Sequence, residues 1–406
     1  MNSRVSIPSK STVTLDVVNG DIEIGRHVTV KGTGTPPEVK VHGTLYCEGK
    51  NTFECSLSAE DLEADGKVTV HGDLEIKNAV EVSDGDLEVH GKLAARSVDV
   101  DCVLYVSKEL TIEDGEVGGR LEVNGNIKAD SISVGGTFEA KGQVTADSVD
   151  VGGSLSIKSA VDIEQLDVGG TAVVATGKIR EIDVGGTFEA KGPLEFEDID
   201  VGGAVALTGK SKGHEIDVGG SLKVEGDLDF EEIDVGGKVE IKGVAQGNHM
   251  EVGGKVNIDG SLKLSGTIEV GGGVDVSEEV AAENIEVGGT LHAKKATAEK
   301  SVEVGGSIAT SEGVTANFIQ VGRRADVRGP IIADEVIVGQ DAHVEDVYGK
   351  EILLRNSAEA ENVHGERITI ESNCHIRGEV QYTIELRQGR NVSLAKPPEK
   401  VAKLAL

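Results

Sequence analysis

Eleven carboxylates recur one residue ahead of a valine: Glu116, Asp150, Asp167, Asp183, Asp200, Asp217, Asp234, Glu251, Glu269, Glu286 and Glu303, with Ser133 the single interruption. Stacked on one edge about 5 Å apart, neighbouring charges in water would repel by roughly 0.8 kcal/mol each. Such a column could recruit cations or set the lateral spacing between molecules. A solvated face that opposes sideways aggregation is the favoured reading. The Gly-rich nonapeptide of Ca²⁺-binding β-rolls is missing. His42, His71, His90 and His364 each precede a glycine at unequal spacing, and read as surface-turn residues. Cys374 and His375 are adjacent; in a strand they point to opposite faces and make no catalytic pair. The many Gly-Gly dipeptides would be phosphate loops only at a strand-to-helix junction, and no helix is readable before the C-terminus. No catalytic, cofactor or metal site is expected.

Composition narrows the field further. The 406 residues include 55 Gly, 2% aromatics and no Trp, so the core must be narrow and built from Val, Ile, Leu and Ala. High Gly and high charge would fit disorder, but Val and Ile recur with period 2 nearly everywhere, which is a strand signal. Net charge is −31 with pI near 4.7, which disfavours nucleic acid as a partner. Cys47, Cys55, Cys102 and Cys374 form no CxxC pair and are expected reduced. The first residues carry no apolar run of signal-peptide type, and no stretch has the length of a membrane span. A cytoplasmic protein is expected.

The elements that must position these groups follow from a repeat. "VGG" occurs twelve times, and "EIDVGGTFEAKG" at 181–192 nearly copies "SISVGGTFEAKG" at 131–142. The Val before each Gly-Gly, or its equivalent, falls at 17-residue steps from Val100 to Val338, broken by one step of 16 and one of 18. Leu354, Ile370 and Leu386 continue the series downstream. Val82, Ala64, Val41 and Ile24 continue it upstream, with a 23-residue step over "YCEGKNTFECSLSAED" that predicts a bulge or loop there. In each unit positions −2, 0, +4 and +6 are apolar, as in Ile182, Val184, Phe188 and Ala190, while Asp183, Glu189 and Lys191 alternate with them. A further apolar pair follows, such as Leu194 and Phe196. Three short strands per 17 residues describe one triangular coil of a parallel β-helix.

Gly185, Gly186, Gly202, Gly203, Gly219, Gly220, Gly236 and Gly237 are then corner residues, placed to relieve a sharp bend. No coil can bury its own strands, so coils must stack. About 22 of them at ~4.8 Å predict a single-domain rod of roughly 100 Å. The expected organisation is a flexible N-terminal tail (1–16), the β-helix (17–392) and a Pro- and Lys-containing C-terminal tail (393–406).

The repeats "SVDVGGSLSIKSA" and "NIEVGGTLHAKKATAEKSVEVGGSIAT", with the stretch 321–380, resemble the bactofilins. These are polymer-forming cytoskeletal proteins of bacteria with relatives in archaea. The resemblance covers roughly 20–390 and implies a right-handed β-helix that polymerises end to end, without nucleotide. Family members usually have a much shorter rod, and the family's polymerising end often carries a Phe near the C-terminus. Here the last Phe is Phe318, and Tyr382, Ile384 and Leu386 stand in the terminal coils as the candidate polymerising end.

A structural role is therefore expected, with a second copy of the chain as the main partner and no cofactor. Two alternatives compete with it. An enzyme on this scaffold would need long loops to build a cleft, and the coils have almost no insertions. A non-polymerising binding scaffold would use the acidic face and the basic tail. Lys396, Lys400, Lys403, Leu404 and Leu406 of that tail are candidates for contact with cytoskeletal, membrane or cell-envelope partners.

Overall fold

Alternating apolar residues separated by corners dictate short strands, and short strands are what form. The computed structural model describes residues 5–404, which contain strands and no helix. They fall into two compact units, Met1–Gly202 and Gly203–Leu406. Each unit is a parallel β-solenoid, with about 23 turns of about 17 residues in all. Where the strands are short, each pairs with the third strand after it, as Val5–Ile7 with Ile22–Ile24, Thr12–Thr14 with Thr29–Lys31, and Val17–Asn19 with Glu38–His42. Where a strand runs on through the corners, it pairs with the next one, as Ser154–Val168 with Thr171–Val184. Three strands per turn give three faces, and parallel pairing keeps equivalent residues of successive turns in register.

The register fixes the core. In the coil that contains "EIDVGGTFEAKG", Ile182, Val184, Phe188, Ala190, Leu194 and Phe196 are all buried, while Asp183 and Glu189 are exposed. In the second unit Ile233, Val235, Val239 and Ile241 repeat the arrangement. A strand two residues wide on its inner face leaves no space for large rings except as occasional fillers such as Phe53, Phe138 and Phe188.

Four expectations are corrected. First, the extra residues of the 23-residue step lie before Val41, not after it. Ile24 stacks on Cys47 and Cys47 on Ala64, whereas Val41 stacks on Val18. The insertion is a small excursion closed by an antiparallel bridge between Thr33 and Glu38, and "YCEGKNTFECSLSAED" forms regular strands. Second, Ile370 stacks on Gln388 rather than Leu386, because the pairing slips between Gly365 and Arg367. Third, within the supposed flexible N-terminal tail, of which residues 1–4 lie outside the described residues, Val5–Ile7 and Thr12–Thr14 are strands paired to the next coil; Val5, Ile7 and Val13 alternate with polar residues like any other coil. Fourth, the tail from 393 also joins the sheet. Ser393–Leu394 pairs with His375–Ile376, and Glu399–Lys400 pairs with Val380–Gln388. Pro397 and Pro398 fall between those two strands, where no ladder N–H is needed.

Candidate functional site

The acidic residues do align, because a two-residue period in every strand points the residue before the marker Val outward. In the first unit the column runs Glu63, Glu81, Asp99, Glu116, Ser133, Asp150, Asp167, Asp183 and Asp200, each paired with the next. In the second it runs Asp217, Asp234, Glu251, Glu269, Glu286 and Glu303. Glu63, Glu81 and Asp99 escaped the sequence reading because the Gly-Gly marker is absent beside them; the period alone would have found them. Burial pushes the Asp167 carboxyl above the usual carboxylate range, and the like charges of Asp183 and Asp150 add to the shift. Lys and Arg side chains form many ion pairs across other columns, such as Arg120 with Glu122 and Glu139. Among the described residues no ion pair engages Glu269, Glu286 or Glu303. These three, with Gly271, Gly288, Gly305 and Gly322, line a shallow groove of about 350 Å³.

The corner glycines are required for closeness rather than for bending. Gly185, Gly186, Gly202, Gly220, Gly236 and Gly237 all keep ordinary φ values. A Cβ on Gly185 would meet the carbonyl oxygen of Gly169 at 2.5 Å, and one on Gly186 that of Gly170 at 2.4 Å. Gly202 would meet Gly185 at 2.7 Å. In the second unit Gly220 would meet Gly203 at 2.2 Å, Gly236 would meet Gly219 at 2.6 Å, and Gly237 would meet Gly220 at 2.3 Å. Corners stack backbone on backbone. Where Gly-Gly gives out, a left-handed residue three places after the core residue takes over the turn: Lys10 and His27 early, Arg324, Asp341, Ser357, Asn373 and Asn391 late. Asn391 stands three after Gln388, which agrees with the corrected register.

Two terminal coils leave apolar side chains uncovered. Val5 is 41% exposed at a core position of the first coil, Val17 is 49% exposed on its outer face beside buried Val18, and Ile384 is 47% exposed in the last full coil, before the partial one at 393–400. Leu386 is half-buried and stacks on Ile368 alone among the described residues. Tyr382 is not at the open edge, because Lys400 pairs beyond it and its ammonium lies 6.0 Å from the ring. Lys396 Nζ donates to Glu379 Oε1 at 2.8 Å, Lys400 Nζ donates to the Ile384 carbonyl at 3.3 Å, Lys403 is exposed and Leu404 half-buried. Leu406 lies outside the described residues.

The histidines are surface residues with company. His71 stacks on His90 at 5.0 Å between ring centroids, and His90 meets the edge of Tyr105. His364 stacks on Tyr348 at 5.1 Å and lies 3.2 Å from Gln381. Cys374 is buried and His375 exposed, on opposite faces. Burial pushes the Cys47 thiol up to about 12. No helix of the described residues is long and apolar enough to cross a membrane. Comparison of the chain with protein-family models, curated proteins and solved structures finds no match.

Proposed function

We propose that this chain is a structural, filament-forming protein of the cytoplasm, akin to the bactofilins, that assembles end to end through its first and last coils without nucleotide. One observation carries the reading. Of the four large apolar side chains that are exposed among the described residues, Val5, Val17 and Ile384 lie in the first coil and the last full one. A solenoid coil with no neighbour presents unpaired strand edges as well as open core, and both demands are met by stacking on another copy. The role is mechanical rather than catalytic, and needs no cofactor.

The test is assembly of end variants. Ile384→Lys or Val5→Lys places a charge at the open end and is expected to keep the protein in the supernatant on sedimentation, under conditions in which the parent chain pellets. Pelleting of both variants like the parent would overturn the reading. The acidic columns support a second role as a scaffold for cationic partners; for that role, the end variants would leave partner capture intact.

A further inference from the structure

The outer column that carries the acids changes character within the second unit. After Glu303 it reads Gln320, Ile337, Leu353, Thr369 and Arg387, each paired with the next. The parallel column two residues earlier reads Ser301, Phe318, Glu335, Glu351, Arg367 and Glu385. In the first unit the equivalent outer column is acidic from Glu63 to Asp200 but for Ser133. One face of the second unit therefore runs from acidic through apolar to partly basic. Ile337 and Leu353 line a groove of about 300 Å³ on that face, with Arg367 and Arg387 at one end. A face that served solubility alone would not carry that stripe.

We propose that this face pairs with the same face of a second copy, antiparallel, about a two-fold axis between the coils of Ile337 and Leu353. Such an axis, lying along the strands, keeps each column opposite itself and reverses the order of coils. Ile337 then meets Leu353, Gln320 meets Thr369, and Glu303 meets Arg387. Phe318 lies beneath the Arg367 guanidinium, a favourable cation–π pairing. Each contact occurs twice. The cost is Glu335 opposite Glu351, which Arg367 offsets, since its Nη1 is already 2.8 Å from Glu351 Oε1. Sliding one coil in one direction sets Glu335 on its own copy and Leu353 on Gln320. Sliding one coil in the other sets Glu351 on its own copy and Arg387 on Gln320. A parallel pair would set the acidic column against itself. Charge selects one register.

The contact is small. Six coils at ~4.8 Å by a strand of about 13 Å give roughly 380 Å² per partner, below the area of stable complexes. The pairing is weak for isolated molecules and strengthens when many copies repeat it along a filament. The contact uses none of the end residues, but its strengthening rests on the end-to-end filament proposed above; cross-linking of the paired faces reads the contact separately from sedimentation of the filament.

Register-specific cross-linking tests it. In the full chain carrying Cys102→Ser, Gln320→Cys protein is mixed with Thr369→Cys protein under mild oxidation. The two positions face each other across the axis, but each lies three coils, about 14 Å, from its own copy. The mixture is expected to give at least tenfold more disulfide-linked dimer than either variant alone. Equal yields from the mixture and the separate proteins would overturn the proposal. Arg387→Glu in both chains is expected to lower the yield about tenfold, and adding Glu303→Arg to both should restore it. A yield indifferent to the charge reversal would overturn the register.

Discussion

Gly186→Ala isolates the reason for the repeated Gly-Gly corner. The new methyl would sit 2.4 Å from the carbonyl oxygen of Gly170, about 1 Å inside ordinary contact. Coils at that corner must part by about that distance or twist. The nearest coil-to-coil hydrogen bonds are Gly185 N–H to Val168 O at 3.0 Å and Thr187 N–H to Gly170 O at 3.2 Å, and a further ångström takes both beyond hydrogen-bond range. Overpacking costs about 1–3 kcal/mol, and two weakened bonds add about 1 kcal/mol each. Local opening should become easier by roughly 3–5 kcal/mol, which is at least about 150-fold faster exchange of the Gly185 and Thr187 amides. Native-state hydrogen exchange reads this directly, with Thr187→Ala as the exposed control. Gly186→Asn discriminates the causes, since Asn tolerates unusual backbone angles but brings the same Cβ. If Asn rescues exchange relative to Ala, or if both match the parent, the close-approach argument fails.

Other outcomes follow from the same geometry. Phe138→Ala empties a fully buried site and should cost about 3–5 kcal/mol in urea unfolding; a loss under 1 kcal/mol would mean the coil collapses around the gap. Asp167 has a folded pKa above its unfolded value, so its ionised form destabilises the fold at neutral pH and protonation relieves this as pH falls through the raised value. Asp167→Asn should therefore stabilise at pH 7 and lose that advantage in acid; a constant difference between pH 7 and pH 3 would refute the upward shift that burial, and then the like charges of Asp183 and Asp150, give this carboxyl. Maleimide should label exposed Cys102 first and leave Cys47 unmodified until unfolding, given its burial and raised pKa; comparable rates would contradict the placement of Cys47 in the core.

The features legible in the sequence are those the period enforces. A 17-residue step with apolar residues at −2, 0, +4 and +6 dictates that Ile182, Val184, Phe188 and Ala190 point inward and Asp183 outward, and they do. What the period cannot see is contact between coils. Gly185 and Gly186 look like bend residues in a linear chain, and only the stacked carbonyls of Gly169 and Gly170 reveal the steric demand. The register of Gln388 depends on a slip between Gly365 and Arg367 that leaves no local signature. Residues 393–400 lack the alternating pattern, yet backbone pairing to His375–Ile376 and Val380–Gln388 holds them in the sheet. Ile337 and Leu353 are hidden in the sequence for the opposite reason: in an apolar run a strand's outer residue looks like another core residue.

The central claim is assembly through uncovered terminal coils, and electron microscopy of the dilute purified chain, in the absence of nucleotide and across a range of salt, tests it most directly. Unbranched filaments are expected from the parent chain and single particles from Ile384→Lys. Monodisperse particles of the parent chain in every condition would contradict it.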